Sequence, residues 1–108
     1  MEGEETTVTP KMSTEARFQS SLISKLRKRF KGCVILKNDA NYIQGIPDLL
    51  ILYRDKWAAL ECKRSFRSPH RPNQDYYVEL LNRMSFAAFI YPENEEEILN
   101  AMEHTFGA

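Results

Sequence analysis

Asp48, Glu61 and Lys63 are the residues of this chain best suited by type and spacing to do chemistry. They lie in one stretch, GIPDLLILYRDKWAALECK, from Gly45 to Lys63. Asp48 heads one apolar run, and Glu61 and Lys63 close a second, one residue apart. A charge inside a segment that reads as buried strand is costly unless a partner or a metal compensates it. Two carboxylates at adjacent strand ends make a hard-oxygen site suited to Mg²⁺ or Mn²⁺. Such an ion polarises a phosphate oxygen and acidifies a bound water. A lysine beside it orients that water or stabilises charge building on the phosphorus. Metal-dependent phosphodiester cleavage needs this set; the competing reading is three surface charges at sheet ends.

The flanking pattern supplies elements to hold these groups. Leu49 to Tyr53 and Trp57 to Cys62 read as paired strands joined at Arg54-Asp55-Lys56. Alternation puts Glu61 and Lys63 on one face and Leu60 and Cys62 on the other. Pairing then brings Asp48 close to Glu61, and the Cys62 backbone carbonyl becomes a further candidate ligand. Upstream, Ser13 or Thr14 caps a helix with Glu15 in its first turn and Phe18, Leu22, Leu26 and Phe30 at four-residue spacing. Glu15 is a candidate third acid if that helix crosses the sheet with its first turn over the site. Alternatively it only complements the helix dipole. Gly32 ends the helix, Cys33 to Lys37 reads as a strand, and residues 38–45 form a polar loop. A basic loop follows at 65–73, and Pro72 suits the first turn of a second helix reaching about Met84. Phe86 to Tyr91 reads as a fourth strand, and 93 to about 105 as a third helix. The order predicts one α/β domain over 13–108, a small mixed four-stranded sheet flanked by helices, behind a disordered acidic tail at 1–12.

Composition narrows the class. At 108 residues there is room for one domain. No apolar run is long enough to span a membrane, and MEGEETTVTPKMS lacks a signal-peptide pattern. Cys33 and Cys62 lie in strand-like contexts and read as reduced core residues of an intracellular protein, not a disulfide or zinc pair. Net charge is zero but uneven: residues 16–92 hold 14 basic and 6 acidic residues, between acidic ends. A basic middle fits a phosphate-binding face, and it fits a solvated mixed surface equally well. Arg64, Arg67 and Arg71, with Lys37 and Asn38, are the candidate nucleic-acid contacts. His70 and His104 read as isolated surface residues. Trp57, Phe86, Phe89 and Tyr91 read as core packing among aliphatics, not as base-stacking platforms.

Gly45-Ile-Pro-Asp48, Glu61-Cys-Lys63, Glu15 upstream and Gln74 downstream together resemble the PD-(D/E)XK nuclease superfamily. The predicted element order is similar to its αβββαβ core, so the resemblance covers nearly all of the chain from Ser13. Within the superfamily the chain looks closest to small VRR-Nuc domains and to phage Holliday-junction resolvases and endonucleases. The resemblance implies that Asp48 and Glu61 bind metal, that Lys63 assists the water, and that Gln74 and Glu15 support the site. Gln74 with Tyr77 also echoes a Q-x-x-x-Y pattern of some exonucleases, but the spacing is one short and that subclass is not carried over.

The expectation is a Mg²⁺- or Mn²⁺-dependent deoxyribonuclease of DNA recombination or repair, with branched or junction DNA as partner. With no room for a sequence-reading domain, selectivity must come from DNA shape, a homodimer or another partner. Two alternatives stay open: a general or repair-type nuclease on the same fold, and a non-catalytic nucleic-acid-binding module.

Overall fold

The computed structural model describes residues 14–108. The expected tail at 1–12 and the Ser13 cap lie outside the described residues. Helix α1 runs Thr14–Arg29, followed by strands β1 (Val34–Lys37), β2 (Leu49–Tyr53) and β3 (Lys56–Cys62). Helix α2 (Gln74–Met84), strand β4 (Phe86–Ile90) and helix α3 (Glu95–Phe106) complete the order. It is the order the apolar periodicities predict.

The sheet order is β1-β2-β3-β4; the first two pairings are antiparallel and β3 pairs β4 in parallel. The hairpin turn is tighter than expected, because Lys56 already pairs with Tyr53. Arg54 takes a positive φ of 57° to close it. Parallel strands need a long crossover, and α2 with the basic loop provides it.

Alternation sorts the sheet into two faces. Leu49 and Ile51 of β2, Ala58, Leu60 and Cys62 of β3 and Ile90 of β4 pack with Leu22, Leu26 and Phe30 of the α1 segment and Leu99, Met102 and Phe106 of the α3 segment. Phe30 sits edge-on to both Tyr53 and Phe106 at centroid distances of 5.8 and 5.1 Å. Helix α2 covers the opposite face over β3 and β4. Half of that face, over β1 and β2, is left open, and Val34, Leu36 and Leu52 are exposed there.

Part of the basic surplus is used inside the fold. Lys25 pairs with Glu95 at 2.7 Å, and Arg29 with Glu103 at 3.1 Å, so the acids of α3 clamp the basic end of α1. Arg29 also donates to Asn100. The α1 cations thus belong in part to a helix–helix contact.

Helix α2 starts at Gln74, later than Pro72 suggests. Asn73 precedes it with a left-handed φ of 70°. The loop before β2 packs against this residue. Gly45, at φ +91°, lies so close that a Cβ there would fall 2.6 Å from the Asn73 Cβ and 2.7 Å from its carbonyl carbon. The contact ties the loop before Asp48 to the start of α2. Gly45→Ala meets both the strained φ, costing about 1–3 kcal/mol, and the clash. It should lower the urea midpoint markedly, whereas Asn73→Gly, which suits the same φ, should hold or raise it. Equal midpoints for wild type and Gly45→Ala would show that this approach does not constrain the fold.

Candidate active site

The β2–β3 ladder ends at Leu49↔Leu60, which makes Asp48 and Glu61 the next facing positions. There the side chains replace the ladder bonds. The Asp48 N–H donates to Glu61 Oε1 at 3.2 Å, and the Cys62 N–H donates to Asp48 Oδ2 at 3.0 Å. Each acid is therefore oriented by the backbone of the other's strand. Pro47, fully buried, accepts from the Asn38 side-chain amide at 2.8 Å, and the Asn38 N–H donates to the Asp48 carbonyl at 2.8 Å. Asn38 thus fastens the Pro47–Asp48 segment to the end of β1.

Glu61 and Lys63 share one face, as alternation requires, and both are buried, at 3% and 4% exposure. The Lys63 N–H joins the β4 ladder at the Ile90 carbonyl, 2.9 Å away. Its Nζ donates to the Pro69 carbonyl at 3.0 Å and to Gln74 Oε1 at 2.7 Å. An ammonium has three donors, so one remains for a group in the cavity that Lys63 lines. Gln74, 8% exposed, is the connector. Its Nε2 donates to Glu61 Oε2 at 2.9 Å, and its Oε1 also accepts from the Arg71 N–H at 2.8 Å. Lys63 Nζ stays 3.8 Å from Glu61 Oε2, an ion pair without a direct hydrogen bond.

These groups open onto one cavity of about 290 Å³ lined by Glu15, Gly45, Asp48, Glu61, Lys63, Arg71 and Gln74 among others. Glu15 contributes from the first turn of α1, across the cavity from the strand acids. An adjoining cleft of about 480 Å³ shares Glu15, Lys63 and Arg71 and adds Arg64, Gln19 and Ser68. The structure thus brings Asp48, Glu61, Lys63, Gln74, Glu15 and Arg71 together, with Arg64 next door. Arg67 stands apart, its guanidinium 5.3 Å over the Phe66 ring. Lys37, at the exposed end of β1, lines neither cavity.

Burial and mutual repulsion set the electrostatics. Burial, with the nearby Asp48 charge, pushes the Glu61 carboxyl up to about 8. Burial likewise raises Asp48, opposed by its bond from the Cys62 amide. Glu15 adds repulsion to both. Asp48 Oδ1 has no hydrogen-bond donor among the described residues. Cys62 turns its N–H toward Asp48, and in an extended strand the carbonyl of the same residue points the same way. No group of three or more His, Cys, Asp and Glu residues forms a ready-made metal cluster among the described residues. The donor set is two carboxylates and a carbonyl, with Glu15 opposite. It fits an ion that keeps several waters, as Mg²⁺ does.

Three features of the site are not legible as motifs: the Pro69 carbonyl, the Arg71 amide and the Gly45–Asn73 approach. His70 also differs from the isolated surface residue expected. Its ring stacks on Phe89 at 3.9 Å, and its Nδ1 is 2.6 Å from Asp75 Oδ1. Phe89 is the register partner of Glu61, so this contact lies beside the site. Trp57 is half-buried and lines an open groove rather than the core. The cysteines are free; Cys62 is buried in the core and Cys33 is half-buried against it.

A folded-state carboxyl raised from 4.5 to about 8 binds its proton more tightly folded than unfolded. Stability from this group is therefore present below about 4.5 and lost as pH rises toward 8. In chelating buffer the melting temperature should fall between pH 5 and 8.5, and Glu61→Gln should remove much of that slope. Identical slopes for the two proteins would contradict the buried-charge account.

No protein-family model matches the chain, and no curated protein matches it.

Proposed function

We propose that this protein is a metal-dependent DNA endonuclease of the PD-(D/E)XK kind, hydrolysing phosphodiester bonds inside the cell. One observation carries the reading. A buried and a half-buried carboxylate stand side by side, each held by the other strand's backbone, while the nearest ammonium spends two of its donors elsewhere. A stable core gains nothing from such an arrangement, since apolar residues there are often neutral or stabilising. A divalent cation fits the oxygens of Asp48, Glu61 and Cys62, and when bound it polarises a phosphate oxygen and acidifies a water.

The chain's own groups do the positioning. Gln74 holds Lys63 and Glu61 in fixed relation, and Lys63 directs its remaining N–H into the cavity, toward an attacking water or a phosphate oxygen. Arg71 and Arg64 line the cleft beside it and suit flanking phosphates. Glu15 faces the strand acids and suits a supporting role at the cation or its waters. The favoured substrate is branched or junction DNA, cut by a homodimer with two symmetric sites.

Asp48→Ala, Glu61→Ala and Lys63→Ala should each lower Mg²⁺-dependent cleavage by at least about 10²-fold with the circular dichroism spectrum retained. Mn²⁺ should substitute, chelator should stop the reaction, and Ca²⁺ should support binding far better than cleavage. Three variants that cut at the wild-type rate would sink the nuclease reading; intact DNA binding without cleavage in any metal would leave a binding module.

Cleavage of matched four-way and linear substrates, beside sizing by light scattering, tests the rest. The expected result is a dimer that prefers the junction. A strict monomer cutting linear duplex equally well would leave a general nuclease instead. An Arg64→Ala, Arg71→Ala pair should flatten the salt dependence of binding by about one unit per lost contact, and an unchanged slope would place the DNA elsewhere.

A further inference from the structure

A third cavity adjoins the catalytic one on its other side, and its character is opposite to that of the cationic cleft. It is a groove of about 440 Å³ on the half of the sheet face that α2 leaves open. Leu50, Leu52 and Trp57 form its floor, and Tyr42, Ile43 and Ile46 of the loop before β2 form a wall. Ile46 also lines the catalytic cavity, so the two spaces meet at that residue. Tyr42 is 84% exposed. Asn38 and Asp39 supply the polar rim. The Asn38 amide is bound to Pro47, and one Asp39 oxygen accepts from the Asn41 N–H. That leaves the Asn38 Oδ1 and the second Asp39 oxygen as acceptors with no donor among the described residues.

We propose that this groove receives an unpaired nucleobase of the nucleotide next to the scissile phosphate. The inference rests on the nuclease reading of the adjoining site. Four observations select a base. The groove shares Ile46 with the catalytic cavity, two positions before Asp48 in the chain. Its walls carry two aromatic rings, which suit stacking without sequence preference. Asp39, its only charged lining residue among the described residues, repels a phosphate but suits the amino group of a base. Arg64 and Arg71 lie on the opposite side of the site, so phosphate and base are separated by chemistry.

Selectivity for branched DNA then follows. A base paired within duplex is unavailable, and extracting it costs unstacking that a junction or frayed end has already met. A compact domain can in this way read strand separation without a reader domain.

Trp57 is the only tryptophan of the chain, so its emission reports groove occupancy. The full chain, in chelator, is titrated with a dye-labelled single-stranded oligonucleotide, an abasic strand of equal length and a continuous duplex, reading anisotropy and Trp57 emission together. The expected result is a Trp57 change that saturates with the base-bearing strand and is absent with the abasic one. Tyr42→Ala should weaken single-strand binding about 5- to 100-fold while lowering duplex affinity much less, and Tyr42→Phe should restore the ratio. Unchanged Trp57 emission at saturating anisotropy, or equal losses on both DNAs, would overturn the groove assignment and leave the nuclease reading intact. A Trp57 shift driven by protein concentration alone, with a dimeric mass, would give the groove to a second copy and overturn the assignment. Absence of both DNA binding and Mg²⁺-dependent cleavage would instead remove the nuclease reading, and this inference with it.

Discussion

Two carboxylates sit facing each other where the β2–β3 ladder stops, each accepting a hydrogen bond from the opposite strand's backbone. The exchange keeps the strands paired beyond Leu49↔Leu60, and it orients both acids with little side-chain freedom. It also concentrates negative charge at a partly desolvated position, which is why both carboxyls are harder to ionise than usual. A protein keeps such a site at a cost to its stability, and the rest of the structure is arranged to hold that cost in place. Gly45 lets the preceding loop approach the start of α2, Asn38 ties down Pro47, and Gln74 bridges the acid and the lysine from the helix that crosses to β4.

Charge is divided between structure and site. The basic end of α1 is largely engaged by the acids of α3, in exposed pairs worth roughly 0.2–1 kcal/mol each. These pairs fix where α1 ends relative to the core, and so where its first turn, with Glu15, faces the strand acids. Among the described residues the arginines of the basic loop form no ion pair with the acids of α3, and Arg64 and Arg71 line the cleft beside the site. Lys63 belongs to neither group. It is buried, held by a backbone carbonyl and an amide oxygen, and it is within 3.8 Å of Glu61. Its position depends on the loop that carries Pro69 and Arg71, and that loop is braced by the His70 stack on Phe89.

The site is asymmetric: a cationic cleft on one side, an apolar groove with an acidic rim on the other. Both share lining residues with the cavity of the strand acids.

The local pattern of the sequence determined the elements and their order. Apolar residues every fourth position made α1, alternation made the strands, and turn residues at 54 and 55 closed the hairpin. The same alternation put Glu61 and Lys63 on one face and Leu60 and Cys62 on the other, because a strand's period of two is a property of the backbone. The sequence also marked the candidate site residues, since charged groups at the ends of apolar strands are conspicuous. Tertiary structure decided what lies beyond the reach of one element. That Trp57 faces an open groove, and not the core, depends on α2 covering β3 and β4 alone. That the Pro69 carbonyl and the Arg71 amide hold the site depends on the path of a loop with no periodicity to read. Asn38, read from the sequence as a candidate nucleic-acid contact, is a fastening in the fold because the β1–β2 register brings its amide to Pro47. The close approach of Gly45 to Asn73 joins residues far apart in the chain, a contact that no local pattern encodes.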